Sequence, residues 1–348
     1  MLPPTLNYIG SKLLLVDWIK SVMTEYMQKP LERVSSFWDP FAGTGVVTLM
    51  AIRSRIPRVM TNDIQYFSYV MSSVWTTRDI DVVKLRTHCD ILNTQLQSGV
   101  GLVGYITKTY ATERGYFTQE NARKIDYMRQ LIQIKYASGD YTYNEFKMML
   151  KLLLYASVSV ANVSSTFGAY LKQFKKSAKR PITIDAGILG TLVDAPEIEH
   201  ISNQRNVLDL YINAEVVYID SPYNRRRYDK NYFVLEAIAK YNNSEAKGKT
   251  GVLMDTDPAN LLFCSPLTVT ESFTKLLRNI YCKYLFISYS TESLLSRTEL
   301  EEILRKCGYM DITIKQCVQR RFKSHLNVDR EVVIEYIFCA RKMDNLDS

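Results

Sequence analysis

The chain has 348 residues, 47% of them hydrophobic and 23% charged, with a formal net charge of +8 and a pI near 9.0. This length and composition exclude a disordered or fibrous chain and leave room for one large α/β domain plus a smaller one. The basic balance favours a polyanionic partner such as nucleic acid.

The pattern of the first 65 residues predicts two helices and two strands, and both strands finish on acids. Apolar residues recur at helical spacing over 14–22, and a short strand then leads to Asp39 and a glycine turn. The pattern over 46–52 indicates a helix, and residues 58–64 indicate a second strand, which finishes at Asp63.

The hydrophobic pattern changes between residues 80 and 200, where long stretches have helical spacing and a basic run occupies 171–180. We expect 80–200 to form an inserted, mainly helical domain. Residues 1–79 and 201–348 should together form an α/β core that is interrupted in sequence and continuous in space.

The α/β pattern resumes with the strand "EVVYID", which finishes at Asp220. The remaining predicted elements are a strand over 283–290, a helix opened by Thr298 with Glu301 as a capping box, and strands near 311–319 and 331–340. In an open parallel sheet the strand ends share one edge, so the acids Asp39, Asp63 and Asp220 should meet at one pocket.

Cysteine and histidine usage indicates no metal site. The six cysteines contain no Cys-x-x-Cys pair, and His88, His200 and His325 do not cluster with them. We therefore expect no metal, no disulfide framework and a cytoplasmic location. Charged residues from Lys12 onward interrupt the first apolar run, which is neither a signal peptide nor a membrane span, so we expect no membrane partner.

The turn "DPFAGTG" can present backbone amides at a helix N-terminus, because Gly43 and Gly45 allow a tight backbone. It lacks the spacing of a dinucleotide site or a P-loop. Asp63 stands where an acid can accept from ribose hydroxyls. Each feature alone is also typical of an ordinary βα turn or helix cap, but together they favour a nucleoside cofactor without a pyrophosphate.

The tetrapeptide "DSPY" suits a planar amine. The Asp220 carboxylate and the Ser221 carbonyl can accept two N–H bonds, Pro222 keeps Ser221 extended, and the Tyr223 ring can stack on the base. The alternative is a plain Ser-Pro turn with a surface tyrosine.

Two basic runs can contact phosphates: the first is "NRRRYDKNY" at 224–232, and the second is "LKQFKKSAKR" at 171–180. Such runs are also typical of surfaces that face only solvent. Phe174, inside the second run, is either a stacking residue or part of the core. The candidate DNA-binding residues are Arg225, Arg226, Arg227, Lys172, Lys175, Lys176, Lys179 and Arg180.

These motifs, read in order, resemble those of the Dam-like adenine-N6-specific DNA methyltransferases, particularly those of restriction-modification systems. The likeness covers most of the chain, including "FGAYLKQFKKSAKR" at 167–180. The other segments that carry it are "YIGSK" (8–12), "DPFAGTG" (39–45), "TNDI" (61–64), "YIDSPYNRRRYDKNYFVLE" (218–236) and "ISYSTESLLS" (287–296).

The resemblance implies a Rossmann-like methyltransferase core, a target-recognition role for the insertion, double-stranded DNA as substrate and a possible cognate restriction endonuclease. It also implies contacts to S-adenosylmethionine from Tyr8, Lys12, Asp39, Phe41, Gly43, Thr44, Gly45, Asp63 and Asp220. Ser221 departs from the pattern, since the family usually has proline there. A less fixed backbone at Ser221 predicts normal or reduced activity.

The implied chemistry agrees with the residues. Adenine N6 is a poor nucleophile, and accepting both of its hydrogens lets the nitrogen attack a sulfonium methyl in line. The base must flip out of the duplex to be reached. Alternatives are amino methylation of RNA, protein or cytosine N4, or a non-catalytic DNA-binding subunit that keeps the fold.

Overall fold

The computed structural model describes residues 6, 8–320 and 332–342. Its strands are β1 (Ser36–Asp39), β2 (Arg58–Asn62), β3 (Glu199–Asn203), β4 (Ile212–Ile219), β5 (Ala246–Lys247), β6 (Val252–Leu253), β7 (Ile280–Ser290), β8 (Tyr309–Arg320) and β9 (Val332–Lys342). Its α-helices are α1 (Val16–Met27), α2 (Val46–Arg53), α3 (Tyr66–Ser72), α4 (Val82–Gln97), α5 (Gln119–Ala137), α6 (Tyr143–Ser159), α7 (Tyr228–Asn231), α8 (Phe233–Lys240), α9 (Val269–Arg278) and α10 (Arg297–Lys306).

Seven strands form one mixed, mostly parallel sheet in the order β3-β2-β1-β4-β7-β9-β8. The first five of these run parallel, whereas β9 is antiparallel to both of its neighbours. This arrangement is consistent with a methyltransferase core and confirms the expected α/β class with a mainly parallel sheet.

Helices cover both faces of the sheet because the central strands are apolar on both sides. Phe37 and Val216 belong to a core that α1 and α2 complete. Val217 and Ile219 belong to a second core on the opposite face, completed by α9 and α10. The central strands β1 and β4 are thereby held rigidly, and both end at the same sheet edge.

The middle of the chain is helical over α4, α5 and α6, as the pattern predicts, but residues 160–198 form loops with short 3₁₀ turns. The side chains of α4, α5 and α6 share one continuous core with α3 and α8. Helices of the middle region therefore pack directly against helices of the α/β part.

The predicted capping box of the late helix is wrong, and the predicted domain boundary falls inside a strand. The boundary between residues 200 and 201 falls inside β3, an edge strand whose sequence "EHISN" carries little apolar signal. The capping box of α10 is formed by Ser296 and Glu299, and not by Thr298 and Glu301. Both pairs have the right spacing, and the helix begins at the first of them.

Within the described ranges, no helix combines the length and apolarity that crossing a membrane requires. The side chains described there also include no group of three or more His, Cys, Asp or Glu arranged to hold a metal ion.

Candidate active site

The strand order places β2, β1 and β4 side by side, so the acids that follow them converge. Asp39, Asp63 and Asp220 line one open pocket of about 950 Å³, a volume that includes its mouth. Of the other residues predicted from sequence, Tyr8, Lys12, Phe41, Gly43, Thr44 and Pro222 also line it. A pocket of this size at the carboxyl ends of parallel strands is the usual place for a ligand in such folds.

The two glycines of the turn give the backbone a conformation and a close packing that other residues would not allow. Gly43 has φ +52° and its amide donates to Asp63 Oδ2 at 2.9 Å, while a Cβ there would lie 2.9 Å from the Tyr8 ring. Gly45 has φ +76°, immediately precedes α2, and faces Trp75. Gly45 therefore acts through the backbone and through packing, and does not itself line the pocket.

Asp39 and Asp63 are carboxyls in a largely desolvated environment. Asp39 Oδ2 accepts from Thr48 Oγ1 at 2.8 Å, whereas its buried Oδ1 has no hydrogen-bond partner. Burial raises the pKa of Asp39 to about 7, against the opposing bond from Thr48. Burial likewise raises the pKa of Asp63 to about 7, against bonds from the Gln65 and Gly43 amides. Both side chains retain a capacity to accept further hydrogen bonds from a ligand.

Lys12 and Asp220 form an ion pair with Nζ and Oδ1 2.9 Å apart. Lys12 is only 5% exposed, and its Nζ also donates to the Gly10 carbonyl at 3.0 Å. Burial lowers the pKa of Lys12, but Asp220 outweighs this and the net shift is upward. Burial raises the pKa of Asp220, and Lys12 opposes that shift.

The rest of the "DSPY" segment lies beside this pair. Ser221 is buried, and its Oγ has no hydrogen-bond partner. The Tyr223 ring has its centroid 5.5 Å from Lys12 Nζ and contacts Tyr289 edge-on with centroids 6.0 Å apart. Tyr223 is half-buried, whereas the alternative of a plain turn expects a ring at the surface.

The predicted DNA-binding residues differ among themselves. Arg225 and Arg226 are exposed, but Arg227 donates to both oxygens of the buried Asp229, at 3.0 and 2.5 Å. Arg227 is therefore already engaged in fixing its own loop.

In the second basic run, Lys175 is half-buried and donates to the Val163 carbonyl at 2.7 Å. Phe174 is 37% exposed, which excludes its assignment to the core. The remaining candidates of this run, all exposed, are Lys172, Lys176, Lys179 and Arg180.

Several pocket residues were not predicted from the sequence because, apart from Asn62 in "TNDI", no local motif marks them. Phe263 packs edge-on against Phe41 with centroids 5.0 Å apart, and Asn260 accepts from the Gln65 side chain at 2.5 Å. Asn62 anchors the Arg205 backbone through bonds of 3.0 and 3.1 Å. The only sequence signal was Asn62 itself, a polar residue at the end of a buried strand.

Comparison with known proteins gives a consistent family. The model of the D12 class N6 adenine-specific DNA methyltransferases matches residues 8–303. The chain is 32% identical over 330 residues to the type II methyltransferase M.NlaIII of Neisseria lactamica, covering 93% of this chain and 95% of the relative.

Two further relatives agree. M.CviAII of Paramecium bursaria Chlorella virus 1 is 32% identical over 336 residues, or 96% of this chain and 97% of the relative. M.FokI of Planomicrobium okeanokoites is 29% identical over 354 residues, or 97% of this chain and 53% of the relative. The chain therefore belongs to the D12 class of N6 adenine-specific DNA methyltransferases and is a site-specific enzyme of the restriction-modification type.

Proposed function

We propose that the pocket binds S-adenosylmethionine and that Asp220 and Ser221 position a flipped adenine beside it. The observation that carries this proposal is the convergence of three carboxyls from adjacent strand ends on one open pocket, with Asp39 buried and the other two half-buried. A family of methyltransferases implies this methyl donor, whose bound form supplies an electrophilic methyl group.

The residues present fit such a ligand. Asp63 faces the pocket with lone pairs beyond those used by Gly43 and Gln65, and can accept from ribose hydroxyls. Asp39 Oδ1 is an orphaned buried acceptor, suited to a cationic amine. Phe41 and Phe263 offer apolar surface to a nucleoside base. Tyr8, Lys12, Thr44 and the Gly43–Gly45 turn complete the proposed cofactor set.

The chemistry at adenine needs two acceptors and a platform. Asp220 and the Ser221 carbonyl accept the two N6 hydrogens, which localises the nitrogen lone pair for attack. Pro222 holds the Ser221 carbonyl in place, and Tyr223 stacks on the extruded base. In the structure Asp220 is paired with Lys12, so in the proposed reaction Lys12 has to release this carboxylate when adenine binds.

The proposed DNA-binding surface consists of exposed cations in two segments of the chain. Arg225 and Arg226 beside the catalytic segment, and the exposed cations of the 172–180 run, contact phosphates. Residues 80–198 form the target-recognition region, inserted into the core made by 1–79 and 199–348. As a restriction-modification enzyme, the chain protects DNA from a partner endonuclease that cuts the same sequence.

The test is tritiated methyl transfer from S-adenosylmethionine to mixed-sequence duplex DNA, with the product identified by mass spectrometry. The wild type should form N6-methyladenine, and Asp220→Ala should lower the rate by about 10²–10³ or more. Glu302→Ala, on the exposed face of α10 and away from the pocket, is the control and should retain full activity. Full activity in Asp220→Ala would refute the assignment of Asp220, and a modified cytosine would refute the substrate.

A further inference from the structure

Glu335, in β9, is a buried carboxyl for which the chemistry described so far has no role. It is 8% exposed, and its Oε2 is buried with no hydrogen-bond partner. A carboxyl of this kind is unfavourable unless it is paired with a donor or a cation. Its position therefore calls for a partner that reaches it in some state of the enzyme.

The sheet register places Glu335 on the same face as Asp220. Tyr218, Phe286 and Cys339 lie level with one another across β4, β7 and β9, and all three belong to the core beneath α1. Side chains alternate along a strand, so residues two positions away share that face. Asp220 is two residues beyond Tyr218, and Glu335 is four residues before Cys339.

Lys12 lies on this face too, just before α1, which packs against β9. Burial lowers the pKa of Lys12, while Asp220, Tyr223 and Glu335 all act to raise it. Burial raises the pKa of Glu335, and the opposing influence comes from Lys12. One ammonium is thus subject to the fields of two carboxyls, yet among the described residues its ion pair is with Asp220.

We propose that Glu335 is a positioning residue that receives the Lys12 ammonium when a flipped adenine takes over Asp220. The inference rests on the proposed function, in which the adenine amine donates to Asp220. No proton changes place in this exchange, because Lys12 stays protonated and only its partner changes.

The transfer of Lys12 from Asp220 to Glu335 removes a free-energy cost of adenine binding. If Lys12 had Asp220 as its sole counter-ion, the base could bind only by leaving a buried ammonium unpaired, which is strongly unfavourable. The lysine stem is long and flexible, so its head group can turn between two acceptors at little cost. Glu335 therefore lets Asp220 accept from adenine while the Lys12 ammonium keeps a carboxylate partner.

The experiment is a double-mutant cycle of Glu335→Gln and Lys12→Met. Single-turnover methyl transfer is measured with saturating S-adenosylmethionine and a duplex carrying the target site mapped by modified-base sequencing. Glu335→Gln should slow transfer about tenfold or more, while the Kd for cofactor and duplex stays within about twofold of wild type. In the Lys12→Met background the same change should alter the rate by less than about twofold.

Glu335→Asp keeps the charge on a shorter side chain, so it should recover most of the rate and provides a second variant if Glu335→Gln folds poorly. Equal slowing in both Lys12 backgrounds would show a merely structural role and overturn the inference. A wild-type rate in Glu335→Gln would also overturn it. If Asp220→Ala itself stays active, the proposed function is refuted. If Asp220→Ala is inactive and Glu335→Gln has the wild-type rate, only the inference about Glu335 is refuted.

Discussion

Two buried carboxyls, one in the middle region and one in the pocket, have opposite surroundings. Asp126 in α5 accepts five hydrogen bonds, from the amides of Gly104, Ile106 and Thr107 and from the hydroxyls of Thr107 and Tyr241. Asp39 at the end of β1 accepts one side-chain bond and keeps Oδ1 without a partner. The two side chains are buried to a similar extent, and they differ in how many hydrogen-bond donors surround the carboxylate.

This difference separates a structural acid from a ligand-binding one. A buried carboxylate whose lone pairs are satisfied contributes to the fold, and its removal leaves donors unsatisfied. A buried carboxylate with a free oxygen destabilises the empty protein, and it is retained where a ligand supplies the missing donor. On this basis Asp126 should matter for stability and Asp39 for binding. Asp63 accepts from the Gly43 and Gln65 amides and also faces the pocket, so it should matter for both.

The largest expected effect is on stability. Asp126→Ala removes the acceptor of five hydrogen bonds and should lower the free energy of unfolding by more than about 3 kcal/mol, since each unsatisfied buried group costs ~1–3 kcal/mol. Asp39→Asn, which can still accept from Thr48, should leave stability at pH 8 unchanged or higher. Urea denaturation measures both. Equal losses would mean that the two acids do not differ as described.

The second prediction extends the comparison to the arginines. Arg225→Gln/Arg226→Gln removes two proposed phosphate contacts and should lower duplex affinity about tenfold per contact at 50 mM salt, with the log-log salt slope smaller by about 2. Arg227→Gln, which loses its bonds to Asp229, should instead reduce stability and leave most of the slope intact. Fluorescence anisotropy measures duplex affinity over a range of salt concentrations. An unchanged slope in the double variant would mean that these arginines face solvent and do not contact phosphates.

The third prediction follows the pH dependence of stability. The folded pKa of Asp39 is raised to about 7 from an ordinary value of 3.8, so its destabilising effect is absent below the ordinary value and is complete above pH 7. Between pH 8 and pH 6 the wild type should gain about 1.4 kcal/mol relative to Asp39→Asn. Parallel stability profiles for the two proteins would contradict the raised pKa.

The smallest effect concerns Ser221. Its carbonyl is the proposed acceptor and its Oγ has no partner, so the side chain is dispensable. Ser221→Pro should keep the rate of methyl transfer or raise it by no more than about tenfold, since fixing a compatible backbone is worth ~0.4–1 kcal/mol. Activity found only in Ser221→Pro would indicate that the wild-type chain is a disabled, non-catalytic member.

The sequence predicted the parts of the site that local patterns encode. Strand ends with acids at Asp39, Asp63 and Asp220 could be read because a buried apolar run precedes each one, and the parallel order then forces them together. The polar edge strand β3 could not be read, because its "EHISN" sequence has neither strong alternation nor apolar character.

Contacts between residues that are far apart in the sequence could not be predicted from local patterns either. Glu335 reaches the site only through the pairing of β9 with β7, and its own surroundings in sequence resemble any strand. The three arginines look equivalent in "NRRRYD", yet only Arg227 has the geometry to bind Asp229. The placing of the capping box at Ser296 likewise depended on where α10 begins, which two overlapping motifs left open.

The most direct test of the central claim is isothermal titration calorimetry of S-adenosylmethionine with wild type and Asp63→Ala at pH 8, where Asp63 is mostly ionised. Asp63→Ala should weaken binding about tenfold or more, the cost of losing a charged hydrogen-bonding partner, and a cooperative unfolding transition should show that the variant is still folded. Glu302→Ala should bind as the wild type does. Unchanged affinity in Asp63→Ala would contradict the assignment of this pocket to the cofactor.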